Sequence, residues 1–136
     1  MGRGLFVMES PLGGLGCFAS VCFRETSRIG IYVGERITHT EAMQRLKGLN
    51  GKYICQLDEK YYVDGSVDGN ETQYINHSCE PNADAVVLDG LIVVYALREI
   101  LRGEEITVDY LNSFDEDRTI CQCRSASCRK KNPSSL

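Results

Sequence analysis

The chain has 136 residues, 43% of them hydrophobic and 25% charged, with a formal net charge of −4. That length suits one domain able to bury roughly two-thirds of its unfolded surface, and the composition excludes a disordered chain. No apolar run approaches the ~20 residues of a membrane span, and no basic block on the body of the chain offers the footprint of sequence-specific nucleic-acid binding, whereas the acidic balance admits a basic peptide partner.

Met1 to Phe6 lack the apolar core and small-residue cleavage site of a secretory signal, and Phe6 stands where myristoylation of Gly2 prefers Ser or Thr. An intracellular, reducing setting is therefore expected. Residues 4 to 8 read as a short strand, Ser10-Pro11 with Gly13-Gly14-Leu15-Gly16 as a glycine-rich loop, and Cys17 to Val21 as a second strand. Glycines there permit positive φ and close approach of a ligand to backbone. Gly14-x-Gly16-x-x-Ala19 matches a dinucleotide fingerprint on paper, but that fingerprint requires a helix opening at its last glycine, and the run from Cys17 to Phe23 is β-prone.

Ile29 to Ile37 alternate and are rich in β-branched residues, which predicts one strand with Gly34 as a bulge or a close backbone approach. Thr38-His39-Thr40-Glu41 fits a capping box opening a helix of about two to three turns, with Ala42, Met43, Leu46 and Leu49 on one face and Asn50-Gly51 ending it. Residues 53 to 57 and 61 to 64 form a predicted hairpin around Asp58-Glu59, and residues 85 to 88 and 91 to 97 another around Asp89-Gly90. Arg102 to Glu105 make a turn before a last strand from Ile106 to Tyr110. One helix among about eight strands gives a mainly β fold with a minor α addition.

Residues 74 to 82, Tyr-Ile-Asn-His-Ser-Cys-Glu-Pro-Asn, organise the rest. Tyr74 and Ile75 look strand-like, whereas Asn76, His77 and Ser78 carry short polar side chains that bond nearby backbone, and Pro81 bars a helix. Asn76 and His77 suit a polar ligand; a buried polar turn that satisfies itself is the plainer alternative. Cys121-x-Cys123 and Cys128 place three thiols in eight residues, and Cys79 is a natural fourth ligand for a structural zinc. Free thiols, oxidised in pairs, are the alternative. The odd total of seven cysteines argues against a disulfide framework. Cys17, Cys22 and Cys55 read as small core residues.

Gly14-Leu15-Gly16, Tyr32-Val33-Gly34-Glu35, Gly69-Asn70, Asn76 to Asn82, Gly103 to Tyr110 and the cysteine tail occur in the order seen in SET-domain protein-lysine methyltransferases. The chain resembles that family from about residue 5 to residue 130. The resemblance implies a β-clip-like fold of several small sheets with a threaded (pseudoknot) C-terminal segment. It divides the chain into a SET domain over residues 1–116 and a post-SET zinc-binding tail over 117–136. It further implies S-adenosylmethionine (AdoMet) against Gly14, Leu15, Gly16, Tyr74, Asn76 and His77, and zinc on Cys79, Cys121, Cys123 and Cys128. Tyr110 is expected to orient the target amine, and Tyr32 either to line the same channel or to be a core tyrosine. His77 serves through its backbone and fold-supporting hydrogen bonds rather than as a base.

The implied activity is methylation of protein lysines, with histone tails as the commonest substrate class and the nucleus as the location in a eukaryote. Three positions depart from the family pattern: Gln73 replaces an Arg, Val108 stands where Phe or Tyr often sets the number of methyls added, and Arg124 replaces a Gly. No cysteine-rich pre-SET region precedes residue 5, and a second copy of the chain is a candidate to cover that side. Two other readings stay open. One is a catalytically silent SET domain that binds peptides or partners; the other is a small zinc-held interaction domain without cofactor.

Overall fold

Turn residues set where each strand ends, so the strands between them are short. The computed structural model describes residues 4–48 and 53–109. Among these residues lie ten strands, one α-helix and one 3-10 helix. β1 (Leu5–Glu9) and β2 (Leu15–Ala19) form an antiparallel hairpin, closed by Ser10 N–H donating to the Gly14 carbonyl at 2.8 Å. Gly14 takes φ 61°, which an L side chain resists. No helix follows the glycines, so the dinucleotide reading is excluded. Past Ala19 the chain bends, which leaves Cys22 exposed rather than in the core.

The predicted strand over 29–37 is two strands in different sheets. β3 (Arg28–Tyr32) pairs with β9 (Leu91–Ala96), whose other edge carries β8 (Ala83–Leu88). β4 (Glu35–Thr38) pairs with β6 (Tyr61–Asp64), beside β5 (Ile54–Gln56). The chain steps between sheets at Val33-Gly34, and a Cβ on Gly34 would collide with the Asp64 carbonyl oxygen. Gly34 is thus a close approach, not a bulge.

The capping box forms as expected. Thr38 accepts from the Glu41 N–H, and the Glu41 side chain accepts from the Thr38 N–H, at the head of α1 (His39–Arg45). Ala42 is buried with Ile37, Ile54 and Tyr62, and Met43 and Leu46 pack on that cluster; Leu49, Asn50 and Gly51 lie outside the described residues. The β8–β9 turn places Asp89 at φ 51° and Gly90 at φ 76°, the left-handed pair a two-residue hairpin needs.

The organising stretch differs from its predicted form. Tyr74 ends a 3-10 helix (Glu71–Tyr74), because the Asn70 side chain accepts from Thr72 N–H at 3.0 Å and curls the chain. Asn76 and His77, expected to break a ladder, make one. They form β7 (Asn76–His77), parallel to β10 (Thr107–Val108), in the register Thr107 to Asn76 and Val108 to His77. The approach to β10 is held on its other side by β2: Ala19 N–H donates to the Glu104 carbonyl at 2.9 Å and Ile106 N–H to the Cys17 carbonyl at 2.8 Å. The segment from Gly103 to Val108 therefore runs between β2 and β7. Asn82 completes the seam where no strand is available. It accepts from Thr107 N–H at 2.9 Å and donates to the Glu105 carbonyl at 2.8 Å. Leu5, Cys17, Ile75, Val94, Ile100 and Ile106 bury around this seam and form the largest core cluster.

Candidate active site

Two polar corners and one cavity surround the β7–β10 seam. In the first corner, Asn76 Nδ2 donates to the Leu15 carbonyl at 3.1 Å and to Glu105 Oε2 at 2.8 Å. Glu105 also accepts from the Ser10 hydroxyl at 2.7 and 2.8 Å. The glycine loop and the Asn-His segment, 61 residues apart at Leu15 and Asn76, are thus brought together as the motifs predict. Around Gly14 no atom lies within 4 Å of where a Cβ would stand, so the loop opens to solvent. Gly16 does different work: a Cβ there would collide with Glu105 Oε2, so this glycine makes room for the carboxylate.

The cavity lies on the other side, between the edge strands β5 and β8, with a volume of about 410 Å³. Tyr32, Cys55, Ile92 and Val108 give it an apolar wall; Asp58, Glu59, Asp84 and Asp109 give it acidic positions. Tyr32 is half-buried, and its hydroxyl donates to the Tyr53 carbonyl. With that proton committed, the phenol oxygen faces any further partner as an acceptor. Gly65 sets the ring's place, since a methyl there would stand 2.6 Å from the Tyr32 hydroxyl oxygen. Tyr74, half-buried, packs edge-on against Tyr53 with ring centres 6.1 Å apart, so Tyr32 and Tyr74 share Tyr53 as a neighbour.

Val108 ties the two sides together. It pairs with His77 in the ladder and lines the cavity. Asp58 is held below the usual carboxylate range by the backbone N–H groups of Lys60 and Tyr61. Gln73 lines the cavity and donates to the Asn70 carbonyl at 3.1 Å, so its side chain is held by a local bond. Tyr110 lies outside the described residues.

At the second corner, Cys79 Sγ is 3.2 Å from His77 Nε2, and His77 Nδ1 is 3.8 Å from Asp109 Oδ1. Cys79 is half-buried with its thiol toward a polar neighbour, an environment open to a metal ligand. Cys121, Cys123 and Cys128 lie outside the described residues, and among the described residues no three His, Cys, Asp or Glu converge on a metal position. The other thiols differ in kind. Burial pushes Cys17 up to about 12, with Glu71 and Glu105 adding to the effect, so it is an inert core thiol. Cys55 is half-buried in the cavity wall.

Sequence reasoning missed Ser10, Glu105, Asn82, Gly65 and the Tyr53 carbonyl. One signal was available for Glu105. Adjacent residues in extended chain face opposite ways, so of Glu104-Glu105 one had to turn inward.

The family profile described as SET domain matches residues 14–111. The chain is 36% identical over 133 residues to the histone-lysine N-methyltransferase trithorax of Drosophila virilis, covering 91% of this chain and 3% of that protein. It is likewise 36% identical over 133 residues to an Emericella nidulans histone-lysine N-methyltransferase, H3 lysine-4 specific, covering 89% and 11%. The chain thus spans a small part of the length of these curated relatives. Among solved structures, a chain of the Chaetomium thermophilum Polycomb Repressive Complex 2 bound to GSK126 superposes with a TM-score of 0.74 at 27% identity, over 82% of this chain and 16% of that one.

Proposed function

This chain belongs to the SET-domain family, and on that premise we propose that it is an AdoMet-dependent protein-lysine N-methyltransferase acting on histone tails. The relatives' names support the reaction class and the substrate class. The observation that carries the reading is the placement of the tyrosine-walled cavity and the Asn76 corner against one two-residue ladder, so that Val108 borders both His77 and the cavity.

When bound, AdoMet supplies a methyl group made electrophilic by its sulfonium. The corner suits it: an open loop at Gly14, an amide at Asn76 whose protons are already committed, and a carboxylate at Glu105 near a cationic ligand. Gly14, Leu15, Gly16, Tyr74, Asn76 and His77 form that side of the site. On the other, Asp84 and Asp109 attract an ammonium to the cavity mouth, and the apolar wall at Tyr32, Cys55 and Val108 favours its neutral form by desolvation. With AdoMet bound, transfer would be an in-line displacement in which the amine forms the N–C bond as the C–S bond breaks, leaving a neutral thioether and a methylated ammonium that later gives its proton to water, so alignment rather than a strong base is what these residues would contribute. Tyr32 accepts from the amine, and Tyr110 holds it beside the transferring methyl. Residues 1–116 are the catalytic unit and 117–136 the post-SET tail, where Cys121, Cys123 and Cys128 join Cys79 on zinc, a set whose thiolate chemistry suits a tetrahedral ion. Partners are lysine-bearing peptides, and a second copy of the chain is a candidate neighbour; the location is intracellular, nuclear in a eukaryote.

Incubation with labelled AdoMet and a histone panel, followed by mass spectrometry of the modified lysine, tests the proposal. Tyr110→Phe is expected to lower turnover at least about tenfold while AdoMet affinity stays within about twofold, because the lost hydroxyl serves the amine. AdoMet binding without transfer to any protein would instead favour a silent, peptide-binding SET domain.

A further inference from the structure

Two adjacent glutamates close the turn at Gly103, and they face opposite ways. Glu104 pairs with Arg98 at 2.8 Å on the surface. Glu105 turns toward the glycine loop, where it accepts from the Ser10 hydroxyl and from Asn76 Nδ2, each within 2.8 Å. Ser10 is itself anchored, because its Oγ accepts from Leu12 N–H at 2.9 Å.

The Asn76 amide has one orientation in this setting. Its two protons go to the Leu15 carbonyl and to Glu105, and a flipped amide would set its oxygen against both acceptors. Oδ1 therefore lies on the far side of the amide from that network, and among the described residues it has no hydrogen-bond partner. An acceptor held rigidly in this way selects a ligand that donates, above all a cationic N–H group. The room for the device is made by Gly16, whose missing Cβ is the space Glu105 Oε2 occupies.

We propose that Glu105, seated by Ser10 and Gly16, is a positioning residue of the methyl-donor site. It fixes the Asn76 amide so that Oδ1 faces the donor's ammonium, and it latches the glycine loop to the Asn-His strand. The inference rests on the methyltransferase reading above.

The test is calorimetric titration of AdoMet into the full chain, wild type against Glu105→Ala, Glu105→Gln and Ser10→Ala, with peptide KM and the urea midpoint of each. Loss of charge-assisted positioning in Glu105→Ala is expected to weaken AdoMet about tenfold or more, with peptide KM unchanged. Glu105→Gln keeps a carbonyl oxygen where Oε2 stands and is expected to bind within about threefold of wild type, whereas Glu105→Leu fills similar space without an acceptor and is expected to lose as much as Glu105→Ala. Ser10→Ala is expected to lose about threefold in AdoMet affinity at an unchanged urea midpoint. It also decides the matter if Glu105→Ala fails to fold. Gly16→Ala should reproduce the Glu105→Ala loss, and the double variant should lose no more than either alone. Wild-type binding with Ser10→Ala and Glu105→Ala both within twofold overturns the positioning role and leaves the methyltransferase reading standing. Equal losses for donor and peptide without rescue by Gln also overturn it. A wild-type chain that binds no AdoMet overturns both.

Discussion

Replacing Asn82 by Ala tests the seam on which the site is built. Asn82 is buried, and its side chain takes the place of a strand: one end accepts from Thr107 N–H, the other donates to the Glu105 carbonyl. Alanine leaves both backbone groups without partners in a region closed to water. Each orphan costs about 1–3 kcal/mol, so the pair costs roughly 2–6 kcal/mol, a large share of the ~5–15 kcal/mol that holds a domain folded. With a urea dependence of about 1.5 kcal/mol per molar, the midpoint should drop by roughly 1.3–4 M. Asn82→Asp sharpens the test. The carboxylate still accepts from Thr107 but repels the Glu105 carbonyl, so its folded pKa rises above the ordinary ~3.9. A group raised in this way stabilises the fold when protonated, and Asn82→Asp should therefore regain stability as pH falls through that raised value. A midpoint shift below about 0.3 M for Asn82→Ala, or an Asp variant whose deficit persists unchanged to acid pH, would refute the role assigned to Asn82.

Three further outcomes are expected. Gly65→Ala should push Tyr32 off the Tyr53 carbonyl, lowering turnover about tenfold to a hundredfold with AdoMet affinity little changed in calorimetry. Asp58, Asp64 and Glu104 all sit below the ordinary carboxylate range, the first through the N–H groups of Lys60 and Tyr61 and the last through Arg98. At Asp64 the upward push of burial is outweighed by bonds from Ser66 and Arg45. Their contribution is present above the ordinary value near ~4 and is lost as pH falls through the lowered ones. The urea midpoint should therefore hold above about pH 5 and decline toward about pH 2, with a shallower decline in Asp64→Asn. Cys128→Ser should lower the zinc retained per chain, measured by atomic absorption, and reduce turnover together with it; full activity with no metal would remove zinc from the account.

What the amino-acid order made legible is what local chemistry decides. The Thr38 capping box and the Asp89-Gly90 hairpin form as read, because each rests on backbone preferences of adjacent residues. The run from residue 29 to 37 misled because alternation marks a strand without saying which sheet takes it, and a collision avoided at Gly34 decides that. Asn76 and His77 read as ladder breakers because their own side chains compete for backbone; a partner strand 31 residues away settles the competition. The approach of the glycine loop to the Asn-His segment came from motif order, while Ser10 and Glu105, which hold the two together, carry no signal stronger than a doubled glutamate. Cys22 looked like core because its neighbours are apolar, and only the bend after Ala19 exposes it.

The two-residue parallel ladder also has a temporal meaning. Its strands come from positions 76–77 and 107–108, and the glycine loop it completes lies at positions 13–16. Contacts so distant along the chain form late, after the hairpins that cost less entropy to close. During synthesis, the Asn76–Glu105 corner is therefore expected to stay unassembled until the ribosome has released Val108. A nascent chain would carry the hairpin of β1 and β2 before the corner that Asn76 and Glu105 build against it has assembled.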